Sequence, residues 1–150
     1  GYMEALNKNG AYTVSKEVLE TIQRDFCGYY ADEAETAATI RTTFRENGYL
    51  IDTHTAVAVS AVKQYRAETG DDAVTVVAST ASPYKFAADV YESLTETKAS
   101  DPLAALHELS SVSGTEIPYP LKGIETRTIR FSDVIEKDAM LKTVYAFAKQ

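Results

Sequence analysis

The sequence predicts a helix-rich α/β fold in three layers, with a short and mostly parallel sheet. Segments with the apolar spacing of amphipathic helices recur along most of the chain. Between two of them, Ala73–Ala78 is apolar on both faces, which is typical of a buried parallel strand. The helix predicted over 54–69 carries Ala and Val on most sides, which favours a position between layers.

Two further segments are predicted to be strands. Tyr49–Ile51 is a short apolar segment of minimal strand length, and Thr126–Phe131 alternates like a half-exposed edge strand. Two or three strands are few for a stable open sheet. We therefore expect the rest of the sheet to lie in residues upstream of this sequence.

The predicted helices begin at side chains that accept hydrogen bonds from backbone N–H groups. Ser15 starts the helix predicted from 16 to about 26, and Asp32 with Glu35 starts the one that runs to about 47. Ser82 followed by Pro83 is a typical start for the helix predicted to about 94. The remaining predicted helices cover 54–69, 102–113 and 138–149, after a first helical element that ends at Asn9–Gly10.

The composition indicates one acidic domain of a globular protein. The 150 residues carry a formal net charge of −7, from 15 Lys and Arg and 22 Asp and Glu. Because the chain has no run of basic residues, nucleic acid and anionic membrane are poor partners. No apolar stretch is long enough to predict a membrane span. Cys27 is the only cysteine, which excludes an intrachain disulfide and favours a reducing cytoplasm.

Two junctions between a predicted strand and a predicted helix hold the candidate binding residues, because ligands of open α/β sheets bind at such junctions. The hydroxyl of Thr80 can bond a neutral ring nitrogen or cap the following helix. Asp52 and His54 frame the other helix start, where Asp52 is a preferred cap. Lys85 can meet an anion held at its helix end or lie solvated. No cluster of His and Cys predicts a metal site.

Four segments follow one another along the chain: Gly10–Val14, Glu35–Ile40, Tyr49–Ala58 and Val76–Phe86. In sequence, order and spacing they resemble segments of threonine synthases. The sequence departs from the family pattern twice. Thr53 stands where the family usually has proline, so the backbone turn is less fixed, and Ser82 stands where it usually has histidine.

The resemblance implies that 1–150 is the C-terminal portion of a fold-type-II pyridoxal-phosphate enzyme, a lyase of threonine biosynthesis. Threonine synthases convert O-phosphohomoserine and water to threonine and phosphate. The opening Gly1–Leu6 reads as a helix already under way, which also suggests a fragment. The cofactor lysine and the phosphate-binding loop lie in earlier segments of that family. We therefore expect the N-terminal part of the same chain as partner, and no activity from the fragment alone.

The resemblance also implies roles for particular residues. Thr80 would be the hydroxyl partner of the pyridine nitrogen of the cofactor, tuning the ring as an electron sink. Lys85 would assist the anionic substrate or the released phosphate. The wall of the cleft would be formed by Asp52, His54, Thr55 and Ser82. No residue of this chain is assigned a catalytic step.

Two other functions are compatible with the sequence. One is another fold-type-II pyridoxal-phosphate enzyme, such as a serine or threonine dehydratase. The pair His54–Thr55 after Asp52 favours the synthase over it. The other is a non-catalytic α/β interaction domain, which the acidic balance and the missing cofactor lysine allow.

Overall fold

The computed structural model describes residues 1–149, and they form seven α-helices joined by loops and short 3-10 turns. The helices are α1 (Tyr2–Asn9), α2 (Lys16–Asp25), α3 (Glu33–Asn47), α4 (Thr53–Thr69), α5 (Ala87–Thr95), α6 (Ala104–Ser113) and α7 (Met140–Phe147). The 3-10 turns are Pro83–Phe86, Tyr119–Leu121, Ile124–Thr126 and Lys137–Ala139.

The helix starts follow the predicted caps. Ser15 Oγ accepts a hydrogen bond from the Val18 N–H at 3.3 Å, and Asp32 Oδ1 accepts one from the Glu35 N–H at 2.8 Å. Helix α3 ends at Gly48, whose φ of 65° lies in the left-handed region that favours glycine. The predicted helices over 16–26 and up to 47 are thus confirmed, to within about one residue at each end.

Four helices in the first of two compact units, Gly1–Ile117, build the core. Helix α3 packs against α4 and α5, and α5 packs against α6. Each helix contributes a fully buried side chain to this core, namely Ile40, Ala56, Val90 and Leu109. Burying a larger aliphatic side chain, as at Ile40, Val90 and Leu109, stabilises the fold by about 1.5 to 3 kcal/mol. The core therefore holds in place the two loops that precede α4 and α5.

The predicted sheet is wrong. No residue of 1–149 lies in a β-strand, so the described chain is helical and not α/β. The predicted strands Tyr49–Ile51 and Ala73–Ala78 are irregular, and so is most of Thr126–Phe131, whose first residue ends a 3-10 turn. Apolar character at these positions does not by itself make a strand, because a strand needs a neighbour that accepts and donates its backbone hydrogen bonds.

The segment Ala73–Ala78 shows what replaces the strand. Its backbone is fixed near the start, where Asp71 Oδ1 accepts from the Ala73 N–H at 2.9 Å and Arg66 donates to the Ala73 carbonyl at 2.9 Å. Val74 and Val76 beyond are 98% and 91% exposed. The segment is therefore an irregular loop at the surface.

The second unit begins at Pro118 and contains α7 and three of the 3-10 turns. Within it the rings of Phe131 and Phe147 meet edge to face, with their centroids 5.9 Å apart. The apolar side chains of α7 are exposed, among them Leu141, Val144 and Tyr145. Across residues 1–149, no helix combines the length and the apolar character that crossing a membrane requires.

Candidate functional site

The start of α4 and the end of the 70–82 loop meet at a group of polar side chains, which we call the Asp52 cluster: Asp52, His54, Thr55 and Ser79. Asp52 is the N-cap of α4, and its Oδ1 accepts a hydrogen bond from the His54 N–H at 3.0 Å. The Thr55 hydroxyl donates to Asp52 Oδ2, and Thr55 Oγ1 lies 2.9 Å from Ser79 Oγ. Residues 24 positions apart in sequence are thereby joined.

The carboxylate of Asp52 is fully buried, and both of its oxygens accept hydrogen bonds. Its burial favours the neutral form, but hydrogen bonds from the Thr55 hydroxyl, from the His54 and Thr55 N–H groups and from the His54 ring outweigh this effect and lower the pKa of Asp52. Asp52 is therefore a buried anion at the positive end of a helix. The predicted capping role of Asp52 is confirmed.

Which hydroxyl of the Asp52 cluster donates and which accepts is determined by the carboxylate. A hydroxyl carries one proton, and Thr55 gives its proton to Asp52. Ser79 must then be the donor in the bond to Thr55. The proton of Ser79 is thus engaged, and its oxygen is left able only to accept further hydrogen bonds.

His54 lies at the edge of the Asp52 cluster, with a side chain that is 64% exposed. Its Nδ1 is 3.2 Å from Asp52 Oδ1, and a hydrogen bond there needs the proton on Nδ1, because a carboxylate only accepts. The imidazole ring also contacts the Phe86 ring, with their centroids 4.9 Å apart. His54 thereby connects the start of α4 with the Pro83–Phe86 turn.

The remaining predicted site residues lie on or beside this turn. Thr80 is exposed and directly follows Ser79. Ser82 caps the turn, because its Oγ accepts from the Tyr84 N–H at 3.3 Å, so the helix start does not use the Thr80 hydroxyl as its cap. Lys85 is exposed, and its Nζ lies 5.4 Å from the centroid of the Phe86 ring.

Tyr84 attaches the Pro83–Phe86 turn to the core. Its side chain is buried, and its hydroxyl donates to the Thr115 carbonyl at 2.8 Å, just after the end of α6. The turn that follows Thr80 is therefore held both by the core and by the Ser82 cap.

A groove beside the Asp52 cluster was not predicted. One cavity of about 450 Å³ is lined by His54, and a neighbouring cavity of about 420 Å³ is lined by Arg41. The two cavities share four lining residues: Glu33, Thr36, Thr53 and Asp89. Thr80 and Lys85 line neither cavity.

The charges of this groove favour cations over anions. The second cavity adds Glu92 and Glu96 to the shared carboxylates, and Arg41 is already engaged, with one guanidinium nitrogen 2.8 Å from Glu96 Oε1. A phosphate group is therefore disfavoured here. Within 1–149, no three His, Cys, Asp or Glu side chains are grouped so that they could hold a metal ion.

Sequence reasoning missed Ser79 and Phe86 as members of the site, although both lie in the segment around Thr80. Ser79 precedes the chosen hydroxyl by one residue, and an adjacent pair of hydroxyls was the available signal. The groove residues gave no signal, since Glu33 and Asp89 are ordinary first-turn carboxylates of their helices.

Residues 55–146 match the protein family described as "Threonine synthase, C-terminal". The chain is 36% identical over 86 residues to threonine synthase of Schizosaccharomyces pombe, covering 57% of this chain and 17% of that protein. It is 32% identical over 98 residues to threonine synthase of Saccharomyces cerevisiae, covering 62% and 19%. The chain therefore spans less than a fifth of the length of these curated relatives.

A solved structure is also similar, that of pyridoxal-phosphate-bound threonine synthase from Brucella melitensis. The TM-score is 0.54 at 29% identity, and the likeness covers 73% of this chain and 23% of the other. Since the family match extends over more than half of the sequence, the chain belongs to the threonine synthase C-terminal family.

Proposed function

We propose that this chain is the C-terminal portion of a threonine synthase that converts O-phosphohomoserine and water to threonine and phosphate, with pyridoxal phosphate as cofactor. The observation that carries the proposal is the family match over 55–146, which begins inside the Asp52 cluster. The cofactor in the Brucella melitensis relative supports the same assignment. Cys27, as the only cysteine, favours a cytoplasmic location for the enzyme.

The side chains around Thr80 fit one edge of pyridoxal phosphate. Thr80 offers an exposed hydroxyl, whereas the carboxylate of the Asp52 cluster is buried and has both oxygens engaged. The partner of the pyridine nitrogen on this chain would then be a hydroxyl. A hydroxyl does not hold that nitrogen protonated as a carboxylate would. When bound, the cofactor supplies an electron sink that stabilises a carbanion on the substrate.

The residues of this chain then have distinct tasks. Thr80 orients the cofactor ring, and Lys85 attracts the anionic substrate or the released phosphate. Asp52, His54, Thr55 and Ser82 form and hold the wall of the cleft. We assign the cofactor lysine and the phosphate-binding loop to an N-terminal part of the same polypeptide, so this chain alone is expected to be inactive.

The proposal predicts the behaviour of the complete polypeptide that carries this chain. That protein should release phosphate from O-phosphohomoserine and show the absorbance of bound pyridoxal phosphate, while residues 1–150 alone should show neither turnover nor a covalently bound cofactor. Phosphate release is measured by a coupled colorimetric assay with threonine formation as a second product.

The control supplies serine or threonine in place of O-phosphohomoserine, because a dehydratase would remove water from these hydroxy amino acids and yield a keto acid and ammonia. Keto-acid formation without threonine would favour another pyridoxal-phosphate enzyme. A complete polypeptide that neither binds the cofactor nor releases phosphate would overturn the proposal and favour a non-catalytic interaction domain.

A further inference from the structure

The Asp52 cluster forms a directed chain of hydrogen bonds that ends next to Thr80. Asp52 is the fixed end, because it is fully buried and caps α4. Thr55, which is 4% exposed, donates to Asp52, and Ser79 donates to Thr55 across 2.9 Å. Helix α4 thereby holds the loop residue Ser79 through side-chain hydrogen bonds alone.

The loop needs such an attachment, because it has no strand partner. Its start is held at Ala73 by Asp71 and Arg66, and its end is held at Ser82 by the cap of the following turn. Between these points Val74 and Val76 are almost fully exposed. The bond from Ser79 to Thr55 therefore holds the loop directly before Thr80.

We infer that Asp52 and Thr55 are positioning residues that act through Ser79 to hold the backbone at Thr80 and thereby the position of its hydroxyl. This inference deepens the proposed function and rests on it for the role of Thr80. The fixing of the loop itself does not depend on any cofactor.

The direction of the hydrogen bonds from Ser79 to Thr55 to Asp52 also distinguishes the hydroxyl of Ser79 from that of Thr80. Ser79 donates its proton to Thr55 and can only accept further hydrogen bonds, whereas the hydrogen bonds of the Asp52 cluster do not use the proton of Thr80. A neutral ring nitrogen accepts hydrogen bonds and does not donate them. Thr80 therefore suits that nitrogen, and Ser79 does not.

The first test measures the loop in the complete polypeptide without cofactor. Thr55→Val removes the hydroxyl and keeps the shape of the side chain, whereas Thr55→Ser keeps the hydroxyl. Ser79→Ala removes the exposed hydroxyl at the end of the hydrogen-bond series, with little risk to folding. Ser60→Ala is the matched control, since Ser60 is a buried hydroxyl of α4 that donates to another carboxylate, Glu35.

The measurement is the ¹⁵N order parameter of the Thr80 amide after selective threonine labelling. We expect a value of about 0.85 in the parent, Thr55→Ser and Ser60→Ala proteins, and a fall towards about 0.6 in Thr55→Val and Ser79→Ala. Equal order parameters in Ser79→Ala and Ser60→Ala would overturn the inference, whatever the enzyme does.

The second test adds the cofactor and the substrate. Since a misplacement of about 1 Å can lower a rate by up to about 100-fold, we expect kcat/KM to fall by about 10-fold or more in Thr55→Val. Thr55→Ser should restore it, and Ser60→Ala should stay within about twofold. The double variant Thr55→Val with Ser79→Ala should lose no more than either single variant, because both break one chain.

The two tests separate the possible failures. A loosened loop with unchanged turnover, together with unchanged turnover in Thr80→Val, would refute the proposed role of Thr80 while leaving the anchoring of the loop intact. Unchanged order parameters would refute the anchoring even if Thr80→Val abolished turnover.

Discussion

A single buried carboxylate organises the candidate site. Asp52 accepts hydrogen bonds from the His54 N–H, the His54 ring and the Thr55 hydroxyl, so one side chain caps α4 and orients the side chains of the first turn. These bonds lower the pKa of Asp52 against the opposing effect of burial. The folded state is therefore stabilised by the charged form of this residue.

This leads to a prediction about pH. The folded pKa of Asp52 lies below the value of about 3.9 for an unfolded aspartate, so its stabilisation is present above about pH 4 and is lost as the pH falls through the folded pKa. Asp52→Asn should lower the free energy of unfolding at pH 7 by about 1 kcal/mol, because the amide removes the negative charge at the helix N-terminus and replaces one accepting oxygen by a donor. Urea unfolding from pH 7 to pH 3 should show this difference shrinking below about pH 4.

Asp72→Asn is the control, because Asp72 is an exposed aspartate of the loop after α4. It should leave the free energy of unfolding within about 0.5 kcal/mol of the parent at each pH. A deficit in Asp52→Asn that stays constant down to pH 3 would contradict the depressed pKa.

The helices and the missing strands differ in what specifies them. A helix start depends on neighbours in sequence, so Ser15, Asp32 and Asp52 could be identified as caps without a structure. A strand depends on a partner that sequence pattern does not supply, and Val76 in its apolar segment is 91% exposed. Helix positions were therefore predictable, and the sheet was not.

The contacts of the candidate site also fall into those that the local sequence predicts and those that depend on tertiary packing. The contacts of Asp52 with His54 and Thr55 lie within one helical turn and follow from the capping pattern. The bond from Ser79 to Thr55 joins two segments across 24 residues, and the groove between Glu33 and Asp89 needs the packing of α3 against α5. Neither relation is encoded by local spacing.

Helix α3 offers a test at the level of one element. It ends at Gly48 with φ of 65°, where an added Cβ meets no atom within 4 Å, so the only penalty of an alanine there is the left-handed backbone. Gly48→Ala should lower the free energy of unfolding by about 1 to 2 kcal/mol. Gly28→Ala is the control, because Gly28 has equal space and no positive φ. Urea unfolding of both variants measures this difference. Equal losses in the free energy of unfolding would argue against the observed helix end.

The chain as a whole consists of two units with unequal cores. All residues of 1–149 that are buried lie between Thr36 and Leu109, inside the first unit. The second unit, from Pro118 onward, has only partly covered side chains among its described residues, such as Leu121 and Ile124. Stability should therefore be concentrated in the first unit.

Dissection of the chain tests this division. Residues 1–117 expressed alone should keep a helical circular dichroism spectrum and unfold cooperatively in urea, because all the buried residues of 1–149 lie within them. Residues 118–150 alone should show little helix, since a short helix without a core is marginal in water. A gradual, non-cooperative transition of 1–117 would contradict a self-sufficient core.

The exposed segment 73–78 bears on how copies of this chain behave towards one another. Ala-Val-Thr-Val-Val-Ala has no charge and no proline, and it combines apolar character with β-branched side chains, the composition that promotes intermolecular cross-β assembly. Asp71 and Asp72 flank it as repelling charges, and the net charge of −7 acts in the same sense. Colloidal stability of the chain thus depends on its negative charge, so high-salt solutions, which screen that charge, favour precipitation.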